Sequence, residues 1–137
     1  MKLKALIVSI KGTKLTKREK ILLKNGRPWG IILFKRNLKS FTQIKNLTNQ
    51  IKFLSRNKNF PIIIDEEGGN VSRLSSLINN NLSSNFFGDL YKKNKPFSLS
   101  MLKIYLLSIS NILKNLGFNI NTIPVLDISK PYTNKII

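Results

Sequence analysis

Short apolar runs separated by longer polar segments set the pattern of this chain. Each run holds only a few residues and is rich in β-branched side chains. Such runs are too short for a helix and are typical of strands buried on both faces, as in parallel sheets. The pattern therefore predicts four extended segments, at residues 3–10, 30–34, 61–64 and 118–128.

Helix-start signals lie in the polar segments between the first three runs. Thr16 and Glu19 have the spacing of a capping box, which predicts a short helix as far as about Lys24. Ser40 and Gln43 repeat that spacing. Apolar residues then recur at intervals of three and four, which predicts an amphipathic helix of about 14 residues.

The segment between the third and fourth runs is less regular. Residues 74–95 have weak periodicity and include a polar run at 79–85, so we predict a loop there. Ser98 can cap a final helix with one apolar face, and Gly117 would end it. Because strand, helix and strand follow one another repeatedly, the pattern indicates right-handed βαβ units and an α/β fold with a parallel sheet.

Three carboxylates and two glycines directly follow the third run, as Asp65, Glu66, Glu67 and then Gly68-Gly69. Parallel α/β folds bind ligands beyond the carboxyl ends of their strands, so these acids are candidates for function. Residues 59–91 contain four acids, one arginine and no lysine, in a chain of net charge +18. A solvated turn with acids near a helix start accounts for the same residues equally well.

Length and composition limit the chemistry. A chain of 137 residues fits a single domain that can bury a real core. The chain has no cysteine and no histidine. This excludes disulfides and thiol chemistry and removes the commonest general base and metal ligand. We therefore expect no cofactor and no bound metal ion.

The positive charge has two explanations. Lysine and arginine can neutralise phosphates, so a basic nucleic-acid-binding protein is one alternative function. However, the 19 lysines are accompanied by 19 isoleucines and 17 asparagines, and arginine supplies only 5 of the 24 basic residues. These three amino acids share A+T-rich codons, so codon bias explains the charge without a nucleic-acid partner.

Membrane segments are not expected. Residues 5–10 are apolar behind two lysines but are shorter than a signal core of about 7–15 residues. The uncharged stretch 104–113 is well below the span of about 20 residues that a bilayer requires. We expect a cytoplasmic protein with no membrane partner.

Three sequence blocks together resemble a known family. They are residues 30–37, residues 65–73, and residues 117–121 running into 124–127. In this order and spacing they are similar to the N-terminal barrel domain of family 3 glycoside hydrolases, and in particular to bacterial β-N-acetylhexosaminidases of peptidoglycan recycling. The resemblance implies that residues 1–137 form an incomplete domain of about four β/α units. A complete (β/α)8 TIM-type barrel has about 250 residues.

The resemblance also implies which residues bind substrate. In the family, the aspartate that opens the motif and the arginine eight residues later bind the terminal sugar, which here gives Asp65 and Arg73. A carboxylate and an arginine fork suit sugar hydroxyls. Glu67 and Asp127 are further residues of the site edge or of its structural support. The implied ligand is an N-acetylglucosamine-containing saccharide.

Other features of the family pattern differ or are absent. Glu66 and Asn70 stand where glutamine and arginine are common, which affects fine specificity. The family's nucleophile is an aspartate on a later strand, and its acid/base is a loop histidine, so no catalytic residue is expected in this chain. Asp127 is expected to order a strand end instead.

The expected function is therefore that of a family 3 glycosidase truncated before its catalytic residues and inactive alone. A separately encoded C-terminal half is one potential partner. The alternatives are a residual sugar-binding or partner-binding module without catalysis and the nucleic-acid binder.

Overall fold

Four parallel strands form one sheet in residues 3–124, the part of the chain that the computed structural model describes. The order across the sheet equals the order along the chain, and the strands are β1 (Lys4–Ser9), β2 (Pro28–Leu33), β3 (Ile62–Ile64) and β4 (Ile120–Asn121). The predicted α/β class with a parallel sheet is confirmed. The fourth predicted segment is a strand only at β4, and its part after residue 124 lies outside the described residues.

The central strands lie very close together. All three isoleucines of β3 are buried, as expected for a strand covered on both faces. Ile31 of β2 pairs with Ile62 of β3, and Gly30 precedes that pair. A Cβ atom on Gly30 would lie 2.9 Å from the Pro61 Cβ, so the close approach of these strands requires glycine.

Helices connect the first three strands as predicted. α1 (Lys17–Ile21) begins with the complete Thr16–Glu19 capping box and continues as a π-helical turn at Leu22–Gly26. α2 (Phe41–Leu54) has 14 residues and buries its apolar face. Its N-terminal capping differs from the predicted capping box in one detail. The Gln43 Oε1 accepts from the Lys39 amide and not from the amide of the N-cap residue, Ser40.

The predicted loop at residues 74–95 is wrong over its second half, which forms α3 (Ser84–Lys93). Its signal is the Ser83 cap, whose side chain accepts from the Phe86 amide. α4 (Lys95–Asn115) follows immediately and is capped by Asn94, not by Ser98. Ser98 lies inside α4, where its hydroxyl donates to the Phe87 carbonyl of α3 at 2.9 Å.

Gly117 ends α4 as predicted, because the chain reverses there with a φ of +92°. A Cβ atom at this position would overlap the Thr48 side chain of α2. The Thr48 hydroxyl donates to the Leu116 carbonyl at 2.7 Å, which joins the end of α4 to α2. This contact directs the chain into β4.

The core lies between the inner strands and the buried faces of α2 and α4, while the edge strand β1 is open. β1 is mostly exposed, with Leu6 54% and Ile7 53% exposed, and Trp29 of β2 is also exposed. α4 has several exposed apolar residues. Within residues 3–124, α4 is the one helix that is long and apolar enough to cross a membrane, judged by length and composition alone. Core helices of soluble proteins also meet these two criteria.

Candidate functional site

An ion pair stands at the carboxyl end of β3. Asp65 follows the last residue of the strand, and its Oδ2 accepts from the Arg73 Nη2 at 2.8 Å. The two side chains are 26% and 28% exposed, so the pair borders solvent without being fully hydrated. The structure therefore brings together the two residues that the sequence predicted as a sugar-binding pair.

Thr122 gives Asp65 a second partner. Its hydroxyl donates to the other carboxylate oxygen of Asp65, Oδ1, at 2.7 Å. Burial of the carboxyl raises the pKa of Asp65. The hydrogen bonds from Thr122 and Arg73 and the positive charge of Arg73 outweigh that effect, so the pKa lies below its ordinary value of 3.8. Asp65 is an ionised acceptor at neutral pH.

The loop after Asp65 is held by glycines in left-handed conformations. Gly68 and Gly69 have φ values of +78° and +56°. A Cβ atom on Gly68 would overlap the Leu82 carbonyl oxygen and the Tyr105 hydroxyl. The Gly69 amide donates to the Asn80 carbonyl at 2.8 Å. Both backbone angle and close packing therefore require glycine here.

Glu66 lies beneath this loop and is completely buried. Its carboxylate accepts hydrogen bonds from the Ser72 hydroxyl at 2.7 Å, the Leu74 amide at 2.9 Å and the Asn80 side-chain amide at 2.6 Å. The side chain of Asn121 on β4 binds both backbone groups of Glu66. Glu66 thus supports the loop from within and does not face the ligand side.

Several of these contacts were not predicted from the sequence. Thr122 and Asn80 carry no signal in the sequence beyond that of a common polar residue. Asn121 lies in a block of the family resemblance, but its contact with Glu66 depends on residues far away in sequence. Glu67 directly follows Glu66 and is half-buried. Asp127, the second predicted edge residue, lies outside the described residues.

The geometry suits binding of a neutral polar ligand. Each Asp65 oxygen has one protein donor and keeps acceptor capacity for a ligand hydroxyl. The guanidinium of Arg73 offers donors beside it. Within residues 3–124 no cluster of three or more histidine, cysteine, aspartate or glutamate side chains could hold a metal ion.

Comparison with known proteins identifies relatives along most of the chain. A β-hexosaminidase from Thioalkalivibrio sulfidiphilus is 30% identical over 129 residues, which is 94% of this chain and 37% of the relative. A family 3 β-N-acetylglucosaminidase from Paenibacillus has a solved structure that covers 89% of this chain and 23% of its own, with 25% identity and a TM-score of 0.69. The chain is similar over most of its length to the N-terminal part of glycoside hydrolase family 3 proteins. No family profile matches it.

The fold agrees with the same family. Native NagZ from Neisseria gonorrhoeae superposes with a TM-score of 0.81 and 29% identity, covering 92% of this chain and 37% of NagZ. NagZ has also been solved in complex with N-trifluoroacetyl-D-glucosamine. The chain therefore spans little more than a third of the length of the curated relative and of NagZ. Its four strands correspond to the N-terminal region of the NagZ domain.

Proposed function

We propose that this chain carries the part of a β-N-acetylhexosaminidase-type site that recognises the terminal sugar. Asp65 accepts hydrogen bonds from sugar hydroxyls, and Arg73 donates to sugar oxygens. The observation that carries the proposal is the 2.8 Å ion pair at the carboxyl end of β3, partly exposed and flanked by a glycine turn. The ligand class is a terminal N-acetylglucosamine-like unit of a peptidoglycan fragment.

Two findings support this ligand class. The relatives are named β-hexosaminidases, and one structural neighbour was solved with an N-acetylglucosamine analogue. The chemistry of the two side chains supports the same ligand class without those names. A carboxylate with free acceptor sites can accept from sugar hydroxyls, and a neighbouring guanidinium can donate to sugar oxygens.

The proposed role is recognition without cleavage by the chain alone. Retaining glycosidases of the two-carboxylate type need two carboxyl groups about 5–5.5 Å apart around the bond. Asp65 is engaged with Arg73 and Thr122, and its lowered pKa makes it a poor proton donor. The chain contains no histidine that could act as the acid/base. Cleavage therefore requires groups from another polypeptide segment.

Hydrolysis of an aryl N-acetyl-β-glucosaminide tests this proposal. The purified chain should give no turnover, and addition of the C-terminal two thirds of a homologous β-hexosaminidase should restore it. In the restored enzyme, Asp65→Ala should lower kcat/KM about 10–100-fold, since the loss of one hydrogen bond to a charged group costs about 1.5–3 kcal/mol.

Asp89→Ala is the matched control, because that carboxylate is exposed on α3 and pairs only with Lys92 in the described structure. It should leave kcat/KM unchanged. Turnover by the purified chain that survives both Asp65→Ala and Arg73→Ala would contradict the assignment of the site.

A further inference from the structure

Glu66 is a buried acid that takes no part in the proposed sugar contacts. It has no exposed surface, whereas every other acidic side chain in residues 3–124 is at least partly exposed. Placing a carboxylate in the interior is costly unless hydrogen bonds compensate it. The three donors that converge on Glu66 supply that compensation.

Two of the three donors lie on either side of Arg73. The Ser72 hydroxyl binds Oε1 of Glu66 at 2.7 Å, and the Leu74 amide binds Oε2 at 2.9 Å. Both of these neighbours are buried, while Arg73 between them reaches the partly exposed Asp65. The Glu66 carboxylate therefore fixes the backbone from which the guanidinium projects.

Arg73 has few other contacts that could set its direction. Its Nε is buried and has no hydrogen-bond partner within the described part of the chain. Its Cζ lies 6.0 Å from the centre of the Phe34 ring, at the outer limit of a cation–π contact. The position of the guanidinium thus depends mainly on its bond to Asp65 and on the path of its own backbone.

The third donor extends the same support to the glycine turn. The Asn80 side-chain amide binds Glu66 at 2.6 Å, and the Asn80 carbonyl accepts from the Gly69 amide at 2.8 Å. Glu66 therefore holds both loop segments that enclose the site. A buried network of this kind fixes a unique conformation when each member is satisfied.

We propose that Glu66 is a positioning residue that aims Arg73 at Asp65, by clamping the residues before and after Arg73. The relevance of this role to sugar binding rests on the proposed function. The clamp itself is a property of the free protein and can be measured without a ligand. Its loss should release the guanidinium from Asp65 while the fold persists.

The test is the titration of the Asp65 carboxyl by carbon-detected NMR in the folded chain. Arg73→Ala sets the reference, because it removes the partner and should raise the pKa of Asp65. Glu66→Ala should raise it in the same direction. Removing a neighbouring carboxyl group, whether charged or neutral, would not by itself raise the pKa of Asp65, so a rise reports the lost guanidinium.

Two further variants keep the test decisive. Ser72→Ala removes one clamp contact with little change of volume and should produce a smaller rise, which covers the case in which Glu66→Ala does not fold. Glu66→Gln should return the pKa of Asp65 toward that of the parent. Its carbonyl can still accept from the Leu74 amide, and its NH2 can donate to the Ser72 hydroxyl and to a rotated Asn80 amide.

An Asp65 pKa that is unchanged in Ser72→Ala and in folded Glu66→Ala would overturn the inference, whatever the loss of thermal stability. Asp89→Asn is the control for charge removal and should leave Asp65 unaffected. Adding N-acetylglucosamine to the same samples separates the two proposals. A parent that shows the clamp effect but no sugar-dependent shifts at Asp65 would contradict the proposed function and leave the role of Glu66 intact.

Discussion

At the scale of single residues, the Asp65 carboxylate stabilises the fold as well as the site. Its pKa is lowered in the folded chain by Thr122 and Arg73, so its contribution is complete above the unfolded value of 3.8 and is lost as pH falls through the folded value. Stability near neutral pH therefore includes this contribution, and acid removes it.

Asp65→Asn should lower the free energy of unfolding at pH 7 by about 1–2 kcal/mol, the size of a partly exposed charge-assisted hydrogen bond. The difference from the parent should shrink below pH 3.8. Urea unfolding across the pH range measures it. Asp89→Asn, whose ion pair is exposed, should leave the free energy of unfolding at pH 7 nearly unchanged, and equal losses in the two variants would contradict the account.

A motif with fixed spacing carries Asp65 and Arg73, and the structure pairs them. Their binding of a sugar stays a prediction. The sequence could not predict Thr122 or Asn80, because each acts through a contact made only when distant segments fold together. Glu66 departs from the family pattern, in which glutamine is common at this position. Its burial and its three donors are visible only in the structure.

At the scale of elements, local signals predicted most of the fold. The capping box at Thr16 and the apolar spacing after Ser40 determine α1 and α2 through contacts within a few residues. α3 was missed because its apolar pattern is weak and asparagines precede it. The start of α4 was misplaced because Ser98 serves a tertiary contact with α3, while Asn94 supplies the cap.

The structure requires glycine at position 117 and only tolerates it at position 88, so the effects of the two alanine substitutions on stability should differ. Gly117→Ala should destabilise the chain by about 1–3 kcal/mol, since an alanine there adopts a positive φ and its Cβ meets Thr48. Gly88→Ala, in the exposed middle of α3 with open space around it, should stabilise by about 0.5–1 kcal/mol. Thermal melting compares them, and a stabilising Gly117→Ala would contradict the described turn.

At the scale of the whole molecule, the sheet has two open edges in residues 3–124. β1 and β4 each pair on one side only, and β1 exposes Leu6 and Ile7. Unpaired strands with exposed apolar side chains promote association between chains.

The isolated chain should therefore associate as its concentration rises. Size-exclusion chromatography with light scattering should show oligomers or aggregates, and Ile7→Lys should reduce them by placing a charge on the open edge. A monodisperse monomer that melts cooperatively would show that the edges are protected in another way.

The distribution of the basic side chains is also a property of the whole molecule. Lysines are distributed over most of the elements, and those in residues 3–124 are exposed except Lys52, which is partly buried. The comparisons do not address a nucleic-acid partner, which stays an alternative from the sequence. The acidic segment around Asp65 remains the place where the charge pattern and the family motif coincide.

Binding of N-acetylglucosamine by the folded chain is the most direct measurement of the central claim. In a two-dimensional NMR titration, the sugar should shift resonances of Asp65, Arg73 and the Gly68–Gly69 turn. The shifts should disappear in Asp65→Ala and persist in Asp89→Ala. The account is contradicted if the sugar causes no shifts at this site, or if the same shifts remain after Asp65→Ala in a variant that stays folded.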